Sequence, residues 1–255
     1  MKKLCMLGLL LATSFAFAVP TQLGFSGGFT VPNADIQQGT SLTMTFDDSQ
    51  NYQEIYGEGH TRIPLTQLGF NLGQSLEVCL GFQEMATTSS MSISPFSRAP
   101  GDATFRTWNA SLKYGLPYTL WKGKLALGID YQSTSSSYDM VDSGMVRSRE
   151  SGGDDRWIGL LAGTFPVFTN ATFSTALLFT DNDTSYAFGL EKGLPGKAAV
   201  GVEYILNSPL YYHIGSDDFG TVYAKIPFGD MFTGRLALTG INDEAKLAAS
   251  LTAAF

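Results

Sequence analysis

The chain has 255 residues, only 15% of them charged, a net charge of −7 and just two histidines. A soluble secreted domain would carry about 25% charged residues, and an acidic chain lacks the basic footprint that nucleic acid demands, so nucleic acid is excluded as a partner. Beyond the first eighteen residues no apolar run reaches the ~20 residues that a spanning helix needs.

The first element is a leader. Lys2 and Lys3 precede an almost wholly apolar run from Leu4 to Ala16, too short to span a bilayer. Ala16-Phe17-Ala18 then sets small residues three and one before a cut at Val19. Residues 1–18 are therefore expected to be a cleaved secretory signal peptide. Cys5 falls inside it with no lipobox. Its loss takes Lys2 and Lys3 with it, so the net charge becomes −9, and Cys79 is left as the single cysteine, with no intrachain disulfide.

Residues 19–38 follow, rich in glycine and without periodicity. Pro32 fixes its φ, Asn33 favours a turn, and Gly27 and Gly28 permit close packing. The stretch is either a periplasmic lead-in or a plug that folds into the mouth of the next domain. It holds no GxxxxGK[ST] phosphate loop.

From residue 39 to 255 the period is two. Twelve strands are expected, at 40–46, 62–72, 76–84, 104–114, 124–132, 157–165, 171–180, 185–191, 198–206, 221–228, 232–241 and 245–255. Several have the nine to eleven residues of a tilted transmembrane strand. Leu76, Val78, Leu80 and Phe82 alternate with Glu77, Cys79, Gly81 and Gln83; Leu127 and Ile129 alternate with Gly128 and Asp130. Links after even strands are mostly short, whereas the long polar ones, at 47–61, 85–103, 133–156 and 207–220, all follow odd strands. That asymmetry, with aromatics near strand ends, points to an all-β fold: a transmembrane, antiparallel, up-and-down barrel of about twelve strands spanning 39–255.

The inward phase carries Glu77, Lys113, Asp130, Glu191, Glu203, Lys225, Arg235 and Lys246 as candidate lumen-lining charges. Their signs balance, so they either neutralise one another across a narrow interior or line a small polar pore. His60 and His213 have serines or aspartate near in sequence (Asp47 and Ser49; Ser208 and Ser216) but no nucleophile motif. The acidic runs at 151–155 and 181–183 match no EF-hand loop. No catalytic residue, metal or cofactor is expected.

Two resemblances add to this. Leu247, Ala249, Leu251, Ala253 and Phe255 end the chain on alternate apolar positions and a final Phe. This resembles the assembly signal of bacterial outer-membrane proteins, which implies recognition by the barrel-assembly machinery. The stretch from Gly24 to Asp35, followed by Gly39, resembles the opening of YjbH-like outer-membrane proteins. That resemblance implies a link to exopolysaccharide production and export, and offers no catalytic residues. The expectation is an outer-membrane barrel in contact with lipid, serving as a narrow channel or export component for small polar or polysaccharide-related solutes. The alternatives are a structural or surface-interaction barrel with a closed lumen, and an outer-membrane hydrolase. The leader generates a direct test: N-terminal sequencing of protein from the membrane fraction should begin at Val19, and retention of Met1 would refute cleavage.

Overall fold

The computed structural model describes residues 19–21, 25–47, 53–54, 57–88, 98–142, 145–181, 183–207, 218–241 and 245–255. The expected leader, Gly24, Ser49, Ser208, His213, Ser216 and the pair Asn242-Asp243, which favours a turn between the last two expected strands, lie outside them.

Twelve strands close into one barrel: β1 Thr40–Asp47, β2 Gly57–Asn71, β3 Leu76–Thr88, β4 Arg98–Leu120, β5 Gly123–Asp142, β6 Met145–Phe168, β7 Ala171–Phe179, β8 Thr184–Gly193, β9 Ala199–Leu206, β10 Phe219–Phe228, β11 Phe232–Thr239 and β12 Lys246–Ala254. Each pairs antiparallel with its sequence neighbour, and β12 pairs with β1. The expected fold class is what the structure has. The seam is continued past β12 by Phe255, whose N–H donates to the Thr40 carbonyl at 2.8 Å. Gly39, which leads into β1, has φ +71°, and a Cβ there would lie 2.8 Å from the Phe255 carbonyl oxygen. Only glycine takes that backbone conformation without strain and leaves that room.

One rim has tight turns. Trp121 and Lys122, both at positive φ (49° and 66°), join β4 to β5 in the manner of a type I′ hairpin, whose twist matches the flanking strands. Three prolines inside strands fall where the register breaks: Pro64 in β2, Pro100 and Pro117 in β4. A proline has no N–H for the ladder, so a bulge is where a sheet tolerates it.

The strands depart from expectation at the opposite rim. Residues 133–156 are polar and non-alternating, and the sequence reading makes them a loop; residues 133–142 and 145–156 are instead the far halves of β5 and β6, paired from Ser133↔Asp155 to Asp142↔Met145. The far part of β4, from Arg98, pairs with β5 there too. Residues 151–155 are exposed throughout. A sheet that projects beyond the layer meets water on both faces, so its ladder persists without an apolar face to mark it.

The outward face is apolar where the strands form the barrel wall. Val200, Val202 and Tyr204 on β9, Leu127 and Ile129 on β5, and Leu247 and Leu251 on β12 are each at least 39% exposed. Aromatics form two bands. Phe46, Trp108, Trp157, Phe179, Tyr186 and Tyr204 are exposed toward the projecting rim, with Trp108 against Phe82 at 4.3 Å and Trp157 against Tyr131 at 4.7 Å. Tyr118, Trp121, Phe168, Phe228, Phe232 and Phe255 are exposed at the tight-turn rim. From Trp157 to Phe168 is roughly 36 Å along a strand, about 25 Å across at a 45° tilt, which matches the height of the apolar band of an outer-membrane barrel. On this geometry Leu127→Arg and Val202→Arg should each cost about 2–4 kcal/mol. Ser135→Arg, in the projecting part of β5, should leave stability nearly unchanged. Urea unfolding in lipid vesicles measures all three, and equal effects would refute the assignment of the lipid face.

Candidate functional site

The interior is not empty. Phe25, Phe29, Val31, Ala34 and Gln37 are at most 2% exposed, although none belongs to the barrel wall. Their chain runs inside the ring, because its contacts come from strands all around it. Gln67 on β2 donates to the Thr21 carbonyl (2.9 Å), Glu77 on β3 accepts from the Gln37 N–H (2.7 Å), and Thr164 on β6 accepts from the Ala34 N–H (2.8 Å). Arg235 on β11 donates to the Gly28 carbonyl. The segment's own turns are local. Val19–Pro20 pairs with Ser26–Gly27, the Gly28 N–H reaches the Val31 carbonyl at 3.0 Å, and Asn33 Oδ1 accepts from the Asp35 N–H at 3.0 Å. The last is the Asx turn that asparagine favours.

Four buried charges grip this segment by its backbone. Glu203 on β9 accepts from the Phe29 N–H at 2.9 Å, the Thr30 N–H at 2.7 Å and the Thr30 hydroxyl at 2.7 Å. A carboxylate that caps three converging donors makes charge-assisted bonds worth about 1.5–3 kcal/mol each. Lys113 on β4 donates to the carbonyls of Asp35 (2.6 Å) and Asn33 (3.3 Å) and sits 3.4 Å from Glu77. Arg235 also donates to Ser250 at 2.9 Å and stacks over the Phe29 ring at 5.3 Å. Gly28 lies so close to the Glu203 carboxylate that any side chain there would collide with it.

The eight candidate charges therefore divide. Glu77, Lys113, Glu203 and Arg235 are buried and engage the segment. Asp130 is fully buried and accepts from Gln132 (2.8 Å), which in turn accepts from Arg156 (2.8 Å). Glu191 and Lys225 are half-buried and line a hollow beside the segment. Lys246 stands apart, as the first residue of β12 toward the projecting rim. Lys113 and Glu77 neutralise each other as direct neighbours on adjacent strands, and both of them, with Glu203 and Arg235, hold the segment's backbone. His60 lies on β2 and Cys79 is buried in the wall.

The hollow measures about 380 Å³. Asp35, Ile36 and Gln38 of the segment face Thr172, Ser174, Glu191, Tyr223 and Lys225 of the wall across it, with Lys124 at its edge. Lys124 bonds Asp35 at 2.6 Å, and the Tyr223 hydroxyl donates to Glu191 at 2.8 Å. Its wall residues cluster at the tight-turn rim: Thr172 is the second residue of β7 and Lys124 the second of β5. Tyr223 and Lys124 share the inward phase of their strands, so alternation alone could have found them. Asp35 had no periodicity to mark it.

A second wall is apolar, against the expectation of a polar lumen. Ile158, Leu160, Ala162, Leu178, Ala187, Ile205 and Phe219 form a buried cluster with Phe25, Val31 and Ala34 of the segment. The apolar wall is therefore covered by apolar residues of the chain itself. The grip can be tested in a Cys79→Ala background with Val31→Cys as a reporter. The reporter should resist maleimide when Glu203 is intact and label readily after Glu203→Ala, with the barrel's far-UV CD unchanged. Equal labelling in both would refute the role of Glu203.

No family model matches the chain, and no curated protein matches it. Solved structures share its fold. It is similar to a structure of the KdgM porin (TM-score 0.50, 7% identity, 85% of this chain and 99% of that one) and to the KdgM porin in complex with disordered oligogalacturonate (TM-score 0.51, 8% identity, 85% and 99%). It is also similar to the transport unit of the autotransporter AIDA-I from Escherichia coli (TM-score 0.54, 12% identity, 98% and 96%). At these identities the likeness is one of fold: this chain has the barrel architecture found in outer-membrane porins and translocators.

Proposed function

We propose that this chain is an outer-membrane barrel whose lumen is a narrow conduit for small polar solutes, kept narrow by its own N-terminal segment. The observation that carries the reading is the hollow of about 380 Å³ beside that segment, polar and opening among the tight turns. The apolar outer face with its two aromatic bands supports a place in lipid. The expected leader and the alternate apolar positions ending at Phe255 support export and delivery to the barrel-assembly machinery. In such barrels the tight turns face the periplasm, so the hollow is entered from that side.

The resemblance of Gly24 to Asp35 to YjbH-like proteins supports a polysaccharide-related solute. The KdgM porin, similar in fold, has been solved in complex with disordered oligogalacturonate. A second reading, a structural barrel with a closed lumen, is favoured by the commitment of Glu77, Lys113, Glu203 and Arg235 to the segment's backbone. Planar-bilayer recording separates the two. Deletion of residues 21–35 should raise single-channel conductance severalfold over the intact chain. A deleted barrel that inserts and does not conduct would establish the closed reading instead.

A further inference from the structure

The hollow has a definite origin in the sequence. Two inward rows cross the wall here. In one, Thr172 lies opposite Glu191, Glu191 opposite Gly201, and Gly201 opposite Tyr223; in the other, Ser174 lies opposite Gly189 and Gly189 opposite Glu203. Gly189 sends no side chain inward and leaves its space to the hollow, whereas Gly201 leaves its space to a neighbouring ring. That ring is Tyr223, which any Cβ at Gly201 would strike. The ring is thereby laid along the wall with its hydroxyl on Glu191. The inner segment supplies the facing side through Asp35, Ile36 and Gln38.

We propose that this hollow is a binding site for a neutral, polyhydroxylated solute of one or two sugar rings. The volume lies at the lower end of the range for small-molecule sites. The charges inside it argue against an ion of either sign. An anion drawn to Lys225 or Lys124 meets Glu191 and Asp35, and a cation drawn to the carboxylates meets the lysines. What suits such interleaved donors and acceptors is a ligand whose every polar group both donates and accepts, and that is the hydroxyl. Glu191 accepts from such groups, Lys225 donates to them, and Thr172 and Ser174 do either. The neutral sugar is the occupant because the lining mixes Lys124 and Lys225 with Asp35, Glu191 and Glu203, so that an ion of either sign meets repelling groups as well as attracting ones.

This inference deepens the conduit reading and rests on it for its biological role, but the site is tested by binding rather than by flow. Saturation-transfer NMR on the full chain refolded in detergent micelles would compare lactose with digalacturonate. Lactose should bind saturably and more tightly than the acidic disaccharide. Gly189→Leu, which refills the hollow where a Cβ finds ordinary contacts of 3.6–3.8 Å, should abolish binding. The Glu191→Gln/Lys225→Met double variant, which leaves the wall's volume nearly unchanged, should weaken it at least about tenfold, ~1.4 kcal/mol. Absence of saturable lactose binding, tighter binding of digalacturonate, or a double variant that binds like wild type would each overturn the proposal. Conductance on the same preparations keeps the two readings apart. A conducting 21–35 deletion with no lactose binding to the intact chain sinks the site and spares the conduit. Lactose binding with no conductance in any form sinks the conduit and spares the site.

Discussion

β1 and β12 lie at opposite ends of the chain, and their pairing is what turns a twelve-strand sheet into a wall. In hydrocarbon an unpaired N–H or C=O costs several kcal/mol, so an open edge is untenable and closure is obligatory. Here the seam runs from Ala248↔Asp47 to Ala254↔Ser41. It is reinforced on the inside by the Thr43 and Thr252 hydroxyls at 2.8 Å and finished at the rim by Phe255 against Thr40. Everything in the interior presupposes it. Glu203, Arg235, Lys113 and Glu77 surround one segment only because the ring that carries them is complete.

The interior then solves a problem that the ring creates. A lumen lined by ionised groups must keep them solvated or bonded. In this barrel the buried carboxylates and cations are bonded chiefly to peptide groups of residues 28–37. Those peptide groups need partners as much as the charges do, since the segment forms almost no regular structure of its own. The apolar stretch of wall, with Ile158, Leu160, Leu178 and Ile205, is covered by Phe25, Val31 and Ala34. Segment and wall are thus matched on both a polar and an apolar side, and the hollow marks where the match is left incomplete.

The wall was legible because its code is local. Glu77, Gln83, Asp130, Glu203 and Arg235 fall inward by alternation, and the structure buries them. The code fails where both faces are apolar: along Trp157, Ile158, Leu160, Leu161 and Ala162 the pattern does not say which residues meet lipid and which meet the lumen. It fails again at 133–137 and 151–156, where the ladder persists with no apolar alternation to mark it. It is silent on residues 25–38, whose place is set by contacts with strands 40 to more than 170 residues away in sequence. Gly128 shows the difference in one residue. By pattern it is a small inward position, whereas in the structure a Cβ there would press on the Phe25 ring at 2.8 Å.

Gly39 joins the inner segment directly to β1, so the segment hangs from the seam by a single residue. A ligand tethered this way does not dilute; on a short linker its effective concentration is on the order of millimolar whether or not it is seated. Any molecule that enters the lumen competes with a neighbour that is always present and returns to its place when the competitor leaves. The occupancy of the interior is therefore an equilibrium internal to the chain, indifferent to how much of the protein the membrane holds.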